Sequence, residues 1–166
     1  MKHLWAPWRM EYIREGLKAE DCLFCSLSKQ EDGPENLILH RGERAFVVLN
    51  RYPYTNGHMM IVPYAHKPSL EGLENETLHE MIRLAAAALG ILREAYNADG
   101  FNLGGNIGEA AGAGIEEHVH LHVVPRWRGD TNFMATTAQT RVLPESLEET
   151  YQILKPLWQA YPKKES

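Results

Sequence analysis

Three histidines fall within five residues at His118-Val119-His120-Leu121-His122, and two valines follow at 123 and 124. Side chains of an extended strand alternate between its faces, so the three imidazoles share one face and Val119, Leu121 and Val123 share the other. The apolar face can anchor in a core, while the opposite face presents imidazoles about 6.7 Å apart at Cα. A rigid row of neutral rings at that repeat suits a chain of phosphate groups. Imidazole has an ordinary pKa of about 6.5 and is a competent nucleophile near neutrality. Attack by one ring nitrogen at phosphorus gives a phosphoramidate and divides a hard displacement into two easier steps. The attacking ring needs its other nitrogen protonated and held, usually by a backbone carbonyl. Neighbouring rings can then donate to the oxygens that gain charge. His-x-His is also a zinc-binding unit, so metal ligation is the competing reading. Three imidazoles on one regular strand span about 13 Å from first to last Cα, which strains capture of a single ion.

The only two cysteines stand as Cys22-Leu23-Phe24-Cys25. That spacing lets two thiolates reach one tetrahedral ion, and two further ligands must then come from elsewhere. A reduced, packed thiol pair without metal is the alternative. A thioredoxin-like redox role is weaker, because no β-α-β unit surrounds the motif. Of the other histidines, His3 lies near the N-terminus, His79 stands beside Glu80 on a helical stretch, and His40 ends a strand-like run.

The elements that must position these groups are short. Residues 37–40 and 44–50 read as strands joined through Arg41-Gly42-Glu43, and Gly57 precedes a strand at 58–62 that Pro63 should end. Residues 75–97 carry the clearest helical period, through Leu78, Met81, Ile82, Ala85, Leu89, Leu92 and Tyr96. Asn75 is placed to cap that helix and Gly100 lies just past its end. A strand over 101–104 leads into a Gly-rich loop that runs to Gly114. The histidine strand, 118–124, should stop at Pro125, and a helix near 145–160 closes the chain with Pro156 as a kink. Several short strands, one long helix and no regular β-α alternation predict an α+β fold with an antiparallel sheet of about five strands, in preference to a small α/β sandwich.

A chain of 166 residues suits one domain with a proper core, and residues 1–20 read as an arm that packs on it or on a partner. A net charge of −5 argues against non-specific nucleic-acid binding. No run approaches the ~20 apolar residues that a membrane span needs. The first residues lack the apolar stretch and cleavage site of a signal peptide, which makes the cytoplasm the expected compartment.

At residues 118–124 the chain resembles the histidine-triad (HIT) family, whose signature is His-φ-His-φ-His-φ-φ with φ apolar. Asn50-Arg51-Tyr52-Pro53, Gly57-His58 and Ile61-Val62-Pro63 look like the family's ribose-contacting strand and its upstream histidine. Leu4-Trp5-Ala6-Pro7-Trp8-Arg9 and Val123-Val124-Pro125-Arg126-Trp127 are similar to bacterial members related to diadenosine tetraphosphate phosphorylases. The resemblance implies that His120 is the nucleophile, that His122 contacts phosphate and that His118 completes the triad. It also implies support from His58, ribose binding by Asn50, and a phosphate cradle of Asn106, Gly112, Ala113 and Gly114. Trp127 joins the substrate-binding set.

Members of the wider superfamily bind structural zinc through such a cysteine pair, a histidine after the Val-Pro turn and the first triad histidine. Here those are Cys22, Cys25, His66 and His118, with His40 as a rival third ligand. The implied reaction acts on the phosphate bridge of a dinucleoside polyphosphate, adenine-containing, with water or inorganic phosphate as acceptor. A nucleotide-binding regulatory role with weak phosphoramidate hydrolysis is the alternative, and a homodimer is the implied assembly. One departure stands out. Many members carry Ser or Gln four residues before the first triad histidine to assist the leaving group, whereas this chain has Gly114. Glu116 and Glu117, just before the triad, are either replacement donors or solvated surface.

Overall fold

The structure is a computed structural model and describes residues 22–130 and 145–161; the expected arm at 1–20 lies outside them. Its order is α1 (Leu23–Ser28), β1 (Ile38–Arg41), β2 (Ala45–Leu49), β3 (Met59–Pro63), α2 (Asn75–Tyr96), β4 (Gly100–Gly104), β5 (Leu121–Arg126) and α3 (Leu147–Ala160). The strands form one antiparallel sheet in the order β1-β2-β3-β5-β4, which is the α+β arrangement expected from the sequence. Every residue of β2 and β3 is buried, as their unbroken apolar runs require of central strands covered on both faces. Helix α2 lies across β2, β3 and β5, while α3 packs on β1 and against α2.

Two polar anchors fix the helices to the sheet. The Glu80 carboxylate on α2 accepts the backbone N–H groups of Glu43 (3.2 Å), Arg44 (2.6 Å) and Ala45 (3.0 Å), which ties the β1–β2 turn to the helix. On α3, Lys155 Nζ donates to Asp32 at 2.7 Å and to the carbonyls of Ile38 and Leu39 at 3.1 Å.

Several boundaries differ from expectation. Asn75 is the first residue of α2, not its cap; Glu74 holds the cap position without a side-chain capping bond. Its carboxylate meets Arg44 at 2.7 Å instead. Asn97, in the left-handed region, ends α2, and Gly100 opens β4. Asparagine tolerates that conformation better than most residues. A reciprocal capping box between Ser146 and Glu149 starts α3, and the helix passes through Pro156 to Ala160 without ending there.

The histidine strand is shifted too: it runs from Leu121 to Arg126, so His118–His120 precede it and Pro125 lies inside it. Both prolines explain the shift. The Ile61↔Leu121 register, continued, would set Pro63 opposite Val119. Pro63 has no N–H to offer, and its carbonyl is taken by the His118 ring. The ladder stops, and Val119 donates instead to the Lys67 carbonyl at 2.7 Å. At the other end, the Pro125 carbonyl accepts from Thr55 Oγ1 at 3.1 Å, so the missing N–H faces a side where β3 has already ended.

Candidate active site

The segment 118–122 brings two groups of side chains together back to back. On one side, His118 Nδ1 lies 3.3 Å from Cys22 Sγ and 3.6 Å from Cys25 Sγ, and His66 Nδ1 lies 3.3 Å from Cys25 Sγ. The ligand atoms of Cys22, Cys25, His66 and His118 all fall within 4.8 Å of one another. A tetrahedral ion with bonds of about 2.0–2.3 Å needs nitrogen–sulfur separations near 3.5 Å, so these four residues fit one. His118 is prepared for it: the ring is 1% exposed, and Nε2–H donates to the Pro63 carbonyl at 2.8 Å, which directs the Nδ1 lone pair at the sulfurs. His40, the rival ligand, lies elsewhere, stacked on Trp158 with ring centres 5.2 Å apart.

His120 is wired the other way. Its Nδ1 lies 2.9 Å from the His118 carbonyl, and a carbonyl only accepts, so Nδ1 carries the proton. Nε2 then bears the lone pair, and among the described residues it has no hydrogen-bond partner. Burial lowers the pKa of the imidazole, and the bond to His118 offsets this only in part. A neutral ring with one nitrogen held and the other open is the form a nucleophile requires. The triad does not converge on a single ion, because His118 and His120 turn different nitrogens to different partners.

A backbone donor sets the remaining rings. Tyr54 N–H donates to His58 Nδ1 at 3.1 Å, so the neutral His58 carries its proton on Nε2. That proton is directed at His122 Nδ1, 3.0 Å away, which leaves the His122 proton on Nε2 as a donor. His58 stays neutral: it is fully buried, and burial, then His122 and His120, lower its pKa to about 3. The rings of His120 and His122 meet edge to face at 4.8 Å, so a ring with its lone pair on Nε2 neighbours one with its N–H on Nε2.

The surrounding residues are placed unevenly. Asn50 accepts from Tyr52 N–H at 2.9 Å, and its Nδ2 lies 3.4 Å from His58 Nδ1, beside the relay. Asn106 donates to the Gly112 carbonyl at 3.3 Å and closes the Gly-rich loop, where Gly112 has a positive φ of 77°. Ala113 is half-buried and Gly114 exposed in the same loop. Glu116 and Glu117 are both exposed in the turn before the triad. The structure does not bring Trp127 to the triad: its indole N–H donates to the Tyr96 carbonyl at 3.0 Å, beyond the far end of β5.

Three contributors escaped the sequence reading. Phe24 lies against both His118 and His120, at ring distances of 5.4 and 4.8 Å. Tyr54 acts through its backbone, for which residue type gives no signal. Gly105 brings the loop against the backbone of His120, since a Cβ there would sit 2.7 Å from the His120 carbonyl oxygen.

A family profile described as the HIT domain matches residues 31–129. The chain is 35% identical to a protein called AP-4-A phosphorylase from Mycobacterium tuberculosis, over 98% of this chain and 87% of that one. A zinc-bound histidine triad family protein from Mycobacterium smegmatis superposes with a TM-score of 0.67 at 29% identity, covering 84% of this chain and 94% of that one. A hypothetical histidine triad nucleotide-binding protein from Sulfolobus tokodaii gives 0.64 at 27% identity, over 84% and 90% of the two chains. With the fold, the triad and the upstream histidine all in place, the chain belongs to the histidine-triad (HIT) family.

Proposed function

We propose that this chain transfers a nucleotidyl group through His120, acting on the phosphate bridge of an adenine-containing dinucleoside polyphosphate. One observation carries the reading: the Nδ1–H of His120 is held by a carbonyl while Nε2 is open, beside the donor N–H of His122. In the first step Nε2 forms a bond to the α-phosphorus as the bridging P–O bond breaks, and the leaving nucleotide departs with the electron pair and takes up a proton. In the second step water or inorganic phosphate attacks that phosphorus, the P–N bond breaks and Nε2 regains its lone pair. His122 supports the negative charge on the non-bridging oxygens, and His58 keeps His122 in its donor form. Asn50 binds ribose, and Asn106 with Gly112, Ala113 and Gly114 cradles phosphate.

Inorganic phosphate is the proposed acceptor, which the relative called AP-4-A phosphorylase favours. Diadenosine tetraphosphate incubated with and without phosphate tests it. Phosphate-dependent release of ADP with ATP is expected; AMP with ATP regardless of phosphate would leave a hydrolase. A second reading, a regulatory nucleotide-binding protein, draws on Gly114, which offers no side chain to the leaving group. Tight binding with negligible turnover across a substrate panel would select it.

Cys22, Cys25, His66 and His118 are proposed to hold zinc, a reading the zinc-bound relative supports. A four-residue shell gives the ion a scaffolding part, stiffening the approach to His120. Reduced thiols at such a site suit the cytoplasm. A homodimer is proposed through β4, which ends the sheet with Leu103 49% exposed. Light scattering tests this, with Leu103→Lys expected to shift the mass toward that of one chain.

A further inference from the structure

Among the described residues the His120 ring has one hydrogen bond to orient it, and one bond cannot fix a ring. The Nδ1–H to His118 opposes a flip of the imidazole about its own axis, since a flip would put carbon against the carbonyl. It does little against a swing of the whole ring about the Cα–Cβ bond, which would carry Nε2 off the line of attack. What stands in the way of that swing is aromatic. The ring is packed against two others, His122, 4.8 Å away at 72°, and Phe24, 4.8 Å away at 57°. Phe24 is 1% exposed and also packs edge-on to His118 at 5.4 Å.

Phe24 comes from the Cys22–Cys25 turn itself. The residues on either side are anchored through sulfur atoms 3.3 and 3.6 Å from His118 Nδ1, so the phenyl ring is delivered from a backbone held at both ends. We infer that this turn forms a wall of the catalytic pocket, with Phe24 as the positioning residue that holds the His120 imidazole for in-line attack. The same four residues that hold a metal thus reach the nucleophile by two routes. One is the Phe24 ring; the other is the His118 carbonyl, on the backbone of a ligand, which fixes the proton of His120. A closed metal shell and a nucleophile then share one rigid support, and neither needs to touch the other's reacting atoms.

The inference rests on His120 being the nucleophile, and the test separates the two. Phe24→Ala and Phe24→Leu are compared with the wild type in the full, metal-loaded protein. A misplacement of about an ångström costs on the order of 100-fold in rate. The expected result is therefore a kcat about 10- to 100-fold lower in Phe24→Ala and less reduced in Phe24→Leu, with KM within about twofold. Metal content should stay at the wild-type stoichiometry. Long-range proton–nitrogen NMR of the free protein should show a single Nδ1–H form of His120 in the wild type and a mixture in Phe24→Ala. Native kcat in both variants below their melting temperatures would overturn the inference. So would a raised KM at unchanged kcat, which would set the ring against substrate, or a rate loss that tracks loss of metal. If Phe24→Ala does not fold, Phe24→Leu decides by the same criteria. A wild type that shows no His120-dependent turnover would instead remove the functional reading on which this one stands.

Discussion

His118 and His120 stand two residues apart and turn opposite nitrogens to their surroundings. The ring of His118 donates from Nε2 to the Pro63 carbonyl and faces two sulfurs with Nδ1. His120 donates from Nδ1 to the carbonyl of His118 and leaves Nε2 open. Both are buried and both have pKa values lowered chiefly by burial, so exposure to solvent does not separate them. The difference is which carbonyl each ring can reach. Pro63 supplies the first because its missing N–H ends the ladder just where His118 arrives. A backbone acceptor sets which nitrogen of each imidazole carries the proton, and a row of like residues acquires two opposite tautomers without any change of type.

This contrast fails most visibly if the two histidines prove interchangeable. His120→Asn removes the proposed nucleophile and leaves the cluster on the other side intact. Turnover should fall by roughly 10⁴-fold or more, the scale seen when a covalent nucleophile is removed. Metal content, read by elemental analysis, should be unchanged. His118→Asn should do the reverse, releasing metal while retaining measurable turnover. Full activity in His120→Asn would end the assignment.

The metal side gives the next largest effect. Cys25→Ser should weaken metal affinity at least ~100-fold, worth about 2.7 kcal/mol at fixed free metal. For a chain of this size that lowers Tm by roughly 5–10 °C. Thermal scans with and without chelator would check it: the wild type should lose stability on chelation and the variant should not. A chelator-insensitive wild type that holds no metal would leave the cluster as packing.

Much of this contrast was legible in the residues, and the part that was not has a physical reason. Period-two alternation at 118–124 pointed to His120 and His122 as neighbours, and their rings do meet at 4.8 Å. It put His118 on the same face, whereas that ring turns to Cys22 and Cys25, the pair that Cys-x-x-Cys singled out. The strand's true start at Leu121 was hidden because it depends on Pro63, 58 residues from Leu121 in sequence, and on a ring occupying that proline's carbonyl. The choice between His40 and His66 was open for the same reason: the chain after β3 brings His66, not His40, to the cysteines, while α3 sets Trp158 against His40. Phe24 looked like any apolar residue between two ligands, because its partners come from 94 and 96 positions away. The Tyr54 N–H that sets His58 has no residue-type signature at all. Local pattern singled out the residues, and long-range backbone geometry decided which nitrogens and sulfurs they turn to one another.

His58 offers a smaller effect that connects the two levels. His58→Gln should lower kcat about 10-fold, because His122 loses the donor that fixes its proton. The pH dependence of stability carries the sign. An unfolded histidine binds a proton near pH 6.5, whereas buried His58 does so only at about pH 3. Its contribution is therefore complete above pH 6.5 and is lost as pH falls from 6.5 toward 3. Urea titrations across that window should show a steeper loss in the wild type than in His58→Gln. Equal slopes would mean that His58 is protonated in the folded protein and cannot be the neutral relay.

The smallest change is expected at the opposite end of β5. Trp127, read from sequence as substrate-binding, is turned away from the triad, onto the carbonyl of Tyr96 at the end of α2. Trp127→Phe removes that donor but keeps most of the ring, so about 1 kcal/mol of stability should be lost, with Tm lower by roughly 2–4 °C. KM for the nucleotide should stay within twofold, as a residue that fastens a helix end predicts. A several-fold rise in KM at unchanged Tm would reverse the assignment, since a contact to substrate costs binding and a helix fastening costs stability.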